Sequence, residues 1–312
     1  MPSRSLWVTV ALAMVALAIP AAPAGALTRH QVFGIANITP ADLDQPALQR
    51  LKPKATRQIA DWSVALHPHG PGAATVTAWY DAALANHMQP LLSFGGFKQH
   101  HAPKVKKYYK AMKAALKLWP KIHQWQAWNE GNNRTQPITN HHPERAAAYA
   151  KALDKAVKHA RGHKHDTTLP CTIVLSTTRY THNWVSAFVR AYGKTPKIWA
   201  VHGYSDANRF TYRGMQAFVH WFPKGKIWIT ETGALAYSRT GFKYNLKRQK
   251  KAVKYVFGAA TKFKSRVTRL YWWQWQGFPR HHPKGVFWDS GLTAKGKLRP
   301  AYQAVRHQLR AH

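Results

Sequence analysis

Short apolar runs alternate with helical patterns eight times along the chain, and no other feature constrains the fold as strongly. Strand-like runs occupy residues 32–38, 55–62, 90–94, 123–129, 171–176, 198–204, 226–230 and 269–275. Each is short and rich in β-branched or aromatic residues, the pattern of a strand buried on both faces of a parallel sheet. Helical spacing fills residues 41–51, 73–87, 104–119, 143–161, 183–192, 215–221 and 245–262, and residues 300–309 close the chain. Right-handed crossovers make one closed parallel barrel the simplest solution, so the expected fold is α/β, a single (β/α)8 TIM barrel. An open doubly wound sheet is the alternative. It lacks its fingerprint, because Gly34-Ile35-Ala36-Asn37 stands where a Gly-x-Gly-x-x-Gly turn would follow the first strand.

The amino terminus reads separately from that fold. Arg4 supplies a positive start, residues 6–18 are apolar, and Ala24-Gly25-Ala26 fits a small-residue cleavage site. Residues 1–26 are therefore expected to be a signal peptide and residues 27–312 the folded domain, exported after cleavage. The apolar run falls short of the roughly 18 residues that would span a bilayer, which disfavours an uncleaved anchor. About 285 mature residues suit one barrel. The single cysteine, Cys171, lies in the apolar run 169–175 and has no partner for an internal disulfide, so it reads as a small buried hydrophobe.

The formal net charge is +36, spread over the whole chain. Such a field attracts polyanions, for instance an acidic polysaccharide, an anionic cell wall or nucleic acid, but a solvated surface rich in lysine and histidine is the favoured account. In residues 104–119, Val105, Tyr108, Tyr109, Met112, Leu116 and Trp119 recur at helical spacing and leave six lysines for the wet side. No zinc-finger spacing or RNP-type aromatic strand accompanies the charge, so no specific nucleic-acid partner is expected. The pairs His100-His101, His141-His142 and His281-His282 cannot easily turn to one ion, and only His67 and His69 alternate as strand residues would. Neither a metal nor another cofactor is expected.

Carboxylates are scarce, and the sequence holds just three glutamates, Glu130, Glu144 and Glu231. Two of them end strand candidates, in Trp125-Gln126-Ala127-Trp128-Asn129-Glu130 and Ile227-Trp228-Ile229-Thr230-Glu231, and a polar loop containing glycine follows each. A rigid sheet can hold two such carboxyl groups about 5 Å apart, so that one acts as nucleophile and the other as acid, then base, at a glycosidic bond. Glu144 follows Pro143 in a first helical turn, where a carboxylate favours the helix dipole without any catalytic role. Asp206, just past the sixth strand, binds substrate hydroxyls or caps a turn, and the turn is favoured.

With the strands numbered, the sequence resembles clan A of the glycoside hydrolases, the retaining (β/α)8 glycosidases that include cellulases, mannanases and β-glycosidases. The residues carrying the resemblance are Trp128-Asn129-Glu130 after strand four, His202-Gly203-Tyr204 on strand six and Thr230-Glu231-Thr232-Gly233 after strand seven. Arg57 on strand two, Leu270 to Trp275 on strand eight, and Asp289-Ser290-Gly291-Leu292 with Gly296 to Tyr302 support it. The resemblance implies Glu130 as general acid/base and Glu231 as nucleophile. It further implies Asn129 directed at a sugar 2-hydroxyl, Tyr204 donating to Glu231, and Arg57 adding positive charge nearby. His202 either joins this cluster or is held by backbone. Trp273 and Trp275 are read as sharing one face of strand eight, and Trp275 is preferred as the platform for a sugar ring because it lies nearer the strand's carboxyl end. The expected partner is an oligo- or polysaccharide, anionic if the surface charge recruits it, acted on by a monomer. A catalytically weak barrel that only binds anionic glycan, and a structural basic protein, are the competing readings.

Overall fold

The computed structural model describes residues 27–96, 102–280 and 285–310. The expected leader, 1–26, and the pairs His100-His101 and His281-His282 lie outside the described residues. The eight barrel strands are β1 (Val32–Ala36), β2 (Ala55–Asp61), β3 (Gln89–Gly95), β4 (Gln124–Trp128), β5 (Thr167–Val174), β6 (Ile198–His202), β7 (Lys226–Thr232) and β8 (Val267–Trp273). All pair in parallel and in chain order, and β8 returns to β1 in the register Ala36↔Trp273, closing the barrel. The (β/α)8 TIM barrel is thus the fold.

Two apolar clusters hold it together. Inside the barrel, Ala36, Ala55, Leu91, Leu169, Ala200, Trp228 and Tyr271 pack together, mixing small residues with large rings. Gly34 belongs to this logic, since a Cβ there would stand 2.6 Å from the Tyr271 ring. Between the sheet and the helices runs a much larger cluster that includes Trp79, Trp119, Trp125, Trp199 and Trp272. The helix Val105–Leu118 buries Tyr108, Ala111, Met112, Ala115 and Leu116 there and turns its lysines outward. Val105 departs from the expected stripe. It sits in the first turn, 42% exposed.

Element ends moved for identifiable reasons. Residues 41–51 form two short helices, Pro40–Leu43 and Pro46–Gln49, because Pro46 has no N–H to continue the first. Strand β6 stops at His202, and Gly203 leads into the short helix Tyr204–Asn208. Strand β8 ends two residues early at Trp273, because Gln274 takes a left-handed φ of 78°. Beyond it, Trp288–Asp289 pairs with Tyr237–Ser238 and ties the loops after β7 and β8 together at the barrel's carboxyl end. Among the described residues no helix is long and apolar enough to cross a membrane.

Candidate active site

The end of β4 is built to deliver one carboxylate. Asn129 donates its N–H to Phe94 O at 2.7 Å, and Gly131 donates to Thr172 O at 3.0 Å, so the main chain is pinned on both sides of Glu130. Glu130 itself takes φ of 46°, a region that costs a non-glycine residue of the order of 1–3 kcal/mol and persists only when neighbours impose it. One such neighbour is the thiol of Cys171. A Cβ on Gly131 would lie 2.1 Å from its Sγ, so glycine alone permits this close approach. Burial pushes the Cys171 thiol far up, and it serves as packing.

The second carboxylate comes from β7, where Glu231 is in register with His202 of β6. Arg57, fully buried on β2, binds it with Nη1 to Oε1 at 2.6 Å. The rest of that guanidinium is also used: Nη2 donates to Asn129 Oδ1 at 2.8 Å and to Ser93 Oγ at 3.1 Å, and Nε donates to Gln126 Oε1 at 3.2 Å. Tyr204 Oη donates to Glu231 Oε2 at 3.2 Å. His202 stands between the acids, with Nδ1 2.8 Å from Glu130 Oε1 and Nε2 3.5 Å from Glu231 Oε1, the latter without hydrogen-bond alignment. Asn133 Nδ2 donates to Glu130 Oε2 at 2.6 Å. One nitrogen of His202 and one oxygen of each glutamate all lie within 4.8 Å of one another.

The electrostatics divide the two acids. Burial raises the Glu130 carboxyl above its ordinary range, against the opposing pull of the Asn133 hydrogen bond and the Arg57 charge. Burial likewise pushes His202 down to about 3, with Arg57 adding to that effect and Glu231 opposing it, so the imidazole between the acids is neutral. Tyr204 is held well above its usual value by burial and by the charges of Glu231 and Glu130, and stays a donor. The Arg57 guanidinium already supplies the cation beside Glu231, so a divalent ion at Glu130, His202 and Glu231 would face a fixed positive charge. A second cluster that could hold an ion, His123, His163 and Asp166, lies at the amino end of the strands, where Asp166 also accepts from Trp125 Nε1 at 2.7 Å.

A profile of the family described as glycosyl hydrolase catalytic core matches residues 99–304, more than half of the chain and inclusive of both glutamates. The chain belongs to that family. It is a glycosidase. Solved structures agree on the fold. A thermostable mutant of a xylanase from Cellvibrio japonicus superposes with a TM-score of 0.62 at 14% identity, covering 89% of this chain and 97% of that one. The GH53 catalytic domain of Ignisphaera aggregans gives 0.62 at 13% identity, covering 92% and 97%. A family 39 glycoside hydrolase from Bacteroides cellulosilyticus gives 0.56 at 14% identity over 89% of this chain, which spans 63% of that enzyme's length. No curated protein sequence matches.

Six of the seven site residues read from the glycosidase's sequence, Arg57, Asn129, Glu130, His202, Tyr204 and Glu231, fall in this one network. Trp275 does not. Its side chain is fully buried, donates Nε1 to Gln45 Oε1 at 2.9 Å and packs edge-on against Tyr302 of the last helix. The left-handed Gln274 breaks the strand's alternation, so Trp275 turns away from the barrel axis while Trp273 stays on the inner face, half-buried beside Ala36. Sequence reasoning also passed over Trp288, which is 42% exposed with its ring 5.7 Å from that of Tyr204. Asn133, Ser93 and Gln126 were missed as well. The last two had a legible sign, since each is a polar residue flanked by apolar ones in the interior of a barrel strand. Outside the network, Glu144 is exposed and pairs with His142, and Asp206 accepts the N–H groups of Gly214 and Met215 at the start of the helix Arg213–Trp221.

These positions predict different outcomes for two tryptophans of one segment. Trp275→Ala should destabilise the fold by about 3–5 kcal/mol, as emptying a packed core site does. Trp273→Ala should leave the melting temperature much closer to wild type and lower kcat/KM at least about tenfold through lost sugar contact. Calorimetric melting beside glycosidase assays separates them, and a stable, impaired Trp275→Ala with a fully active Trp273→Ala would reverse the assignment.

Proposed function

We propose that this glycosidase is an exported, retaining enzyme that cleaves O-glycosidic bonds of an oligo- or polysaccharide by double displacement, with Glu231 as nucleophile and Glu130 as general acid/base. The observation carrying this reading is the short separation of the two acids, with one oxygen of each within 4.8 Å. An inverting enzyme keeps its carboxyl groups about 6.5–9.5 Å apart to admit a water between them, whereas retaining pairs stand about 5–5.5 Å apart. In the first step Glu231 attacks the anomeric carbon while Glu130 gives its proton to the leaving oxygen. Water then enters where the leaving group stood, Glu130 takes its proton, and the glycosyl ester on Glu231 is released. Asn129 commits its Oδ1 to Arg57, so Nδ2 is the atom it offers to the sugar 2-hydroxyl. The apolar segment at residues 6–18 supports export, and the chain acts as a monomer without a cofactor. The basic surface favours an acidic glycan as substrate.

Glu130→Ala should slow hydrolysis of unactivated substrates by about 10²–10⁴-fold, spare the first step for good leaving groups, and recover with azide as a glycosyl azide of retained configuration. Glu231→Ala should abolish hydrolysis and give, if anything, the inverted azide. Chromatographic and NMR analysis of the products decides it, and the opposite pattern exchanges the two roles.

A pH profile tests the acid separately. Glu130 must carry a proton to act first, so its raised pKa extends activity upward and kcat/KM falls as pH rises through it. The Asn133 contact holds that pKa down, so Asn133→Ala should move the basic limb to higher pH. Movement to lower pH, or none, would remove Glu130 from the acid role.

A further inference from the structure

The basic residues are not one population. Those of the outer helix Val105–Leu118 are all lysine: Lys106, Lys107, Lys110, Lys113 and Lys117. At the carboxyl end of the barrel, between the ends of β4, β5 and β6 and the helices that follow, they are all arginine: Arg134, Arg179, Arg209 and Arg213. All four are exposed, and among the described residues no carboxylate forms an ion pair with any of them. The distinction is chemical. A lysine is a strongly hydrated point charge, whereas the planar guanidinium fork fits the two oxygens of a carboxylate.

Two of these arginines, Arg209 and Arg213, line a cavity of about 670 Å³ between the loops after β5 and β6, together with Ser176, Thr177, Thr178 and Ser205. That volume falls in the range of about 300–1,000 Å³ typical of ligand sites. The cavity adjoins the catalytic network through the backbone. Ser205 directly follows Tyr204, the donor to Glu231, and Leu175 of the cavity wall donates its N–H to His202 O at 3.1 Å. Its one carboxylate, Asp206, is buried and spends both oxygens on main-chain N–H groups, from Gly214 at 2.9 Å and Met215 at 2.8 Å, so it does not pair with either arginine. What remains is a polar hollow with hydroxyls for sugar hydroxyls and two unpaired guanidinium groups, one residue along the chain from Tyr204 of the catalytic network.

We propose that this cavity is the subsite for a hexuronic acid unit of the substrate, with Arg209 and Arg213 pairing with its carboxylate. The inference rests on the glycosidase reading of Glu130 and Glu231 and adds the substrate class to it: a glycan that carries uronic residues. The diffuse lysine field of the outer helices gathers such a polymer, and the arginines select its charged unit.

The test separates binding from cleavage. Tetrasaccharides of glucuronan, galacturonan and mannuronan, each beside its carboxyl-reduced neutral counterpart, are titrated calorimetrically into Glu231→Ala and into the same protein carrying Arg209→Gln and Arg213→Gln. At least one acidic chain should bind Glu231→Ala about tenfold or more tighter than its reduced counterpart. That preference should vanish with the arginines, while affinity for the reduced chain stays the same. Arg209→Lys with Arg213→Lys keeps the charge but loses the fork, and should recover only part of it. Equal affinity for every acidic chain and its reduced form overturns the proposal. So does an acidic preference that survives the double glutamine variant. Because binding is read on a protein lacking Glu231, these results stand apart from the catalytic reading, which fails separately if the wild-type protein cleaves none of the six chains and no neutral glycoside.

Discussion

The buried contact between Arg57 and Glu231 is the interaction on which the rest of the site depends. Arg57 is fully enclosed in the barrel, and removing one partner from such a pair leaves an uncompensated charge that costs about 3–5 kcal/mol. The barrel meets that requirement by giving the guanidinium four acceptors from three strands: Ser93 on β3, Gln126 on β4, Asn129 just past β4 and Glu231 on β7. One side chain thereby fixes both the nucleophile candidate and Asn129, whose amide is proposed to meet the sugar. It also draws Glu130's neighbourhood into register, since Asn129 precedes Glu130 directly and the left-handed Glu130 depends on a main chain pinned at residues 129 and 131.

A chain with eleven carboxylates and a net charge of +36 must spend its acids carefully. Those that are buried are each satisfied. Asp289 is held below its usual range because the paired Arg299, together with two main-chain N–H groups, outweighs the upward push of burial, and Asp206 caps a helix. Asp166 binds two histidines and a tryptophan at the opposite end of the barrel. Glu130 and Glu231 stand next to one another, and this proximity, with a neutral histidine between them, is what makes them the candidates for the catalytic pair.

Much of this was legible in the sequence because a parallel barrel converts strand order into spatial order. Once runs were counted, the ends of the second, fourth, sixth and seventh strands had to meet, and Arg57, Glu130, His202 and Glu231 do. What was not legible depended on single backbone torsions and on loops. Alternation assigned Trp275 to the inner face, and one positive φ at Gln274 moved it into the outer core. Asn133 reaches Glu130 only because the chain turns sharply after Gly131, and Trp288 reaches Tyr204 only through the pairing of two loops, neither of which has a periodic sign. The separation of arginine from lysine was visible in the residues but gained meaning only when the strand ends showed which of them surround one opening.

Trapping of the covalent intermediate tests the central claim most directly. Incubation with 2,4-dinitrophenyl 2-deoxy-2-fluoro glycosides of glucose, galactose and xylose slows the second displacement far more than the departure of the activated leaving group. Peptide mass spectrometry should then find one fluoroglycosyl adduct, on Glu231, absent from Glu231→Ala. An adduct on Glu130, or hydrolysis that inverts the anomeric centre without any adduct, would contradict the account.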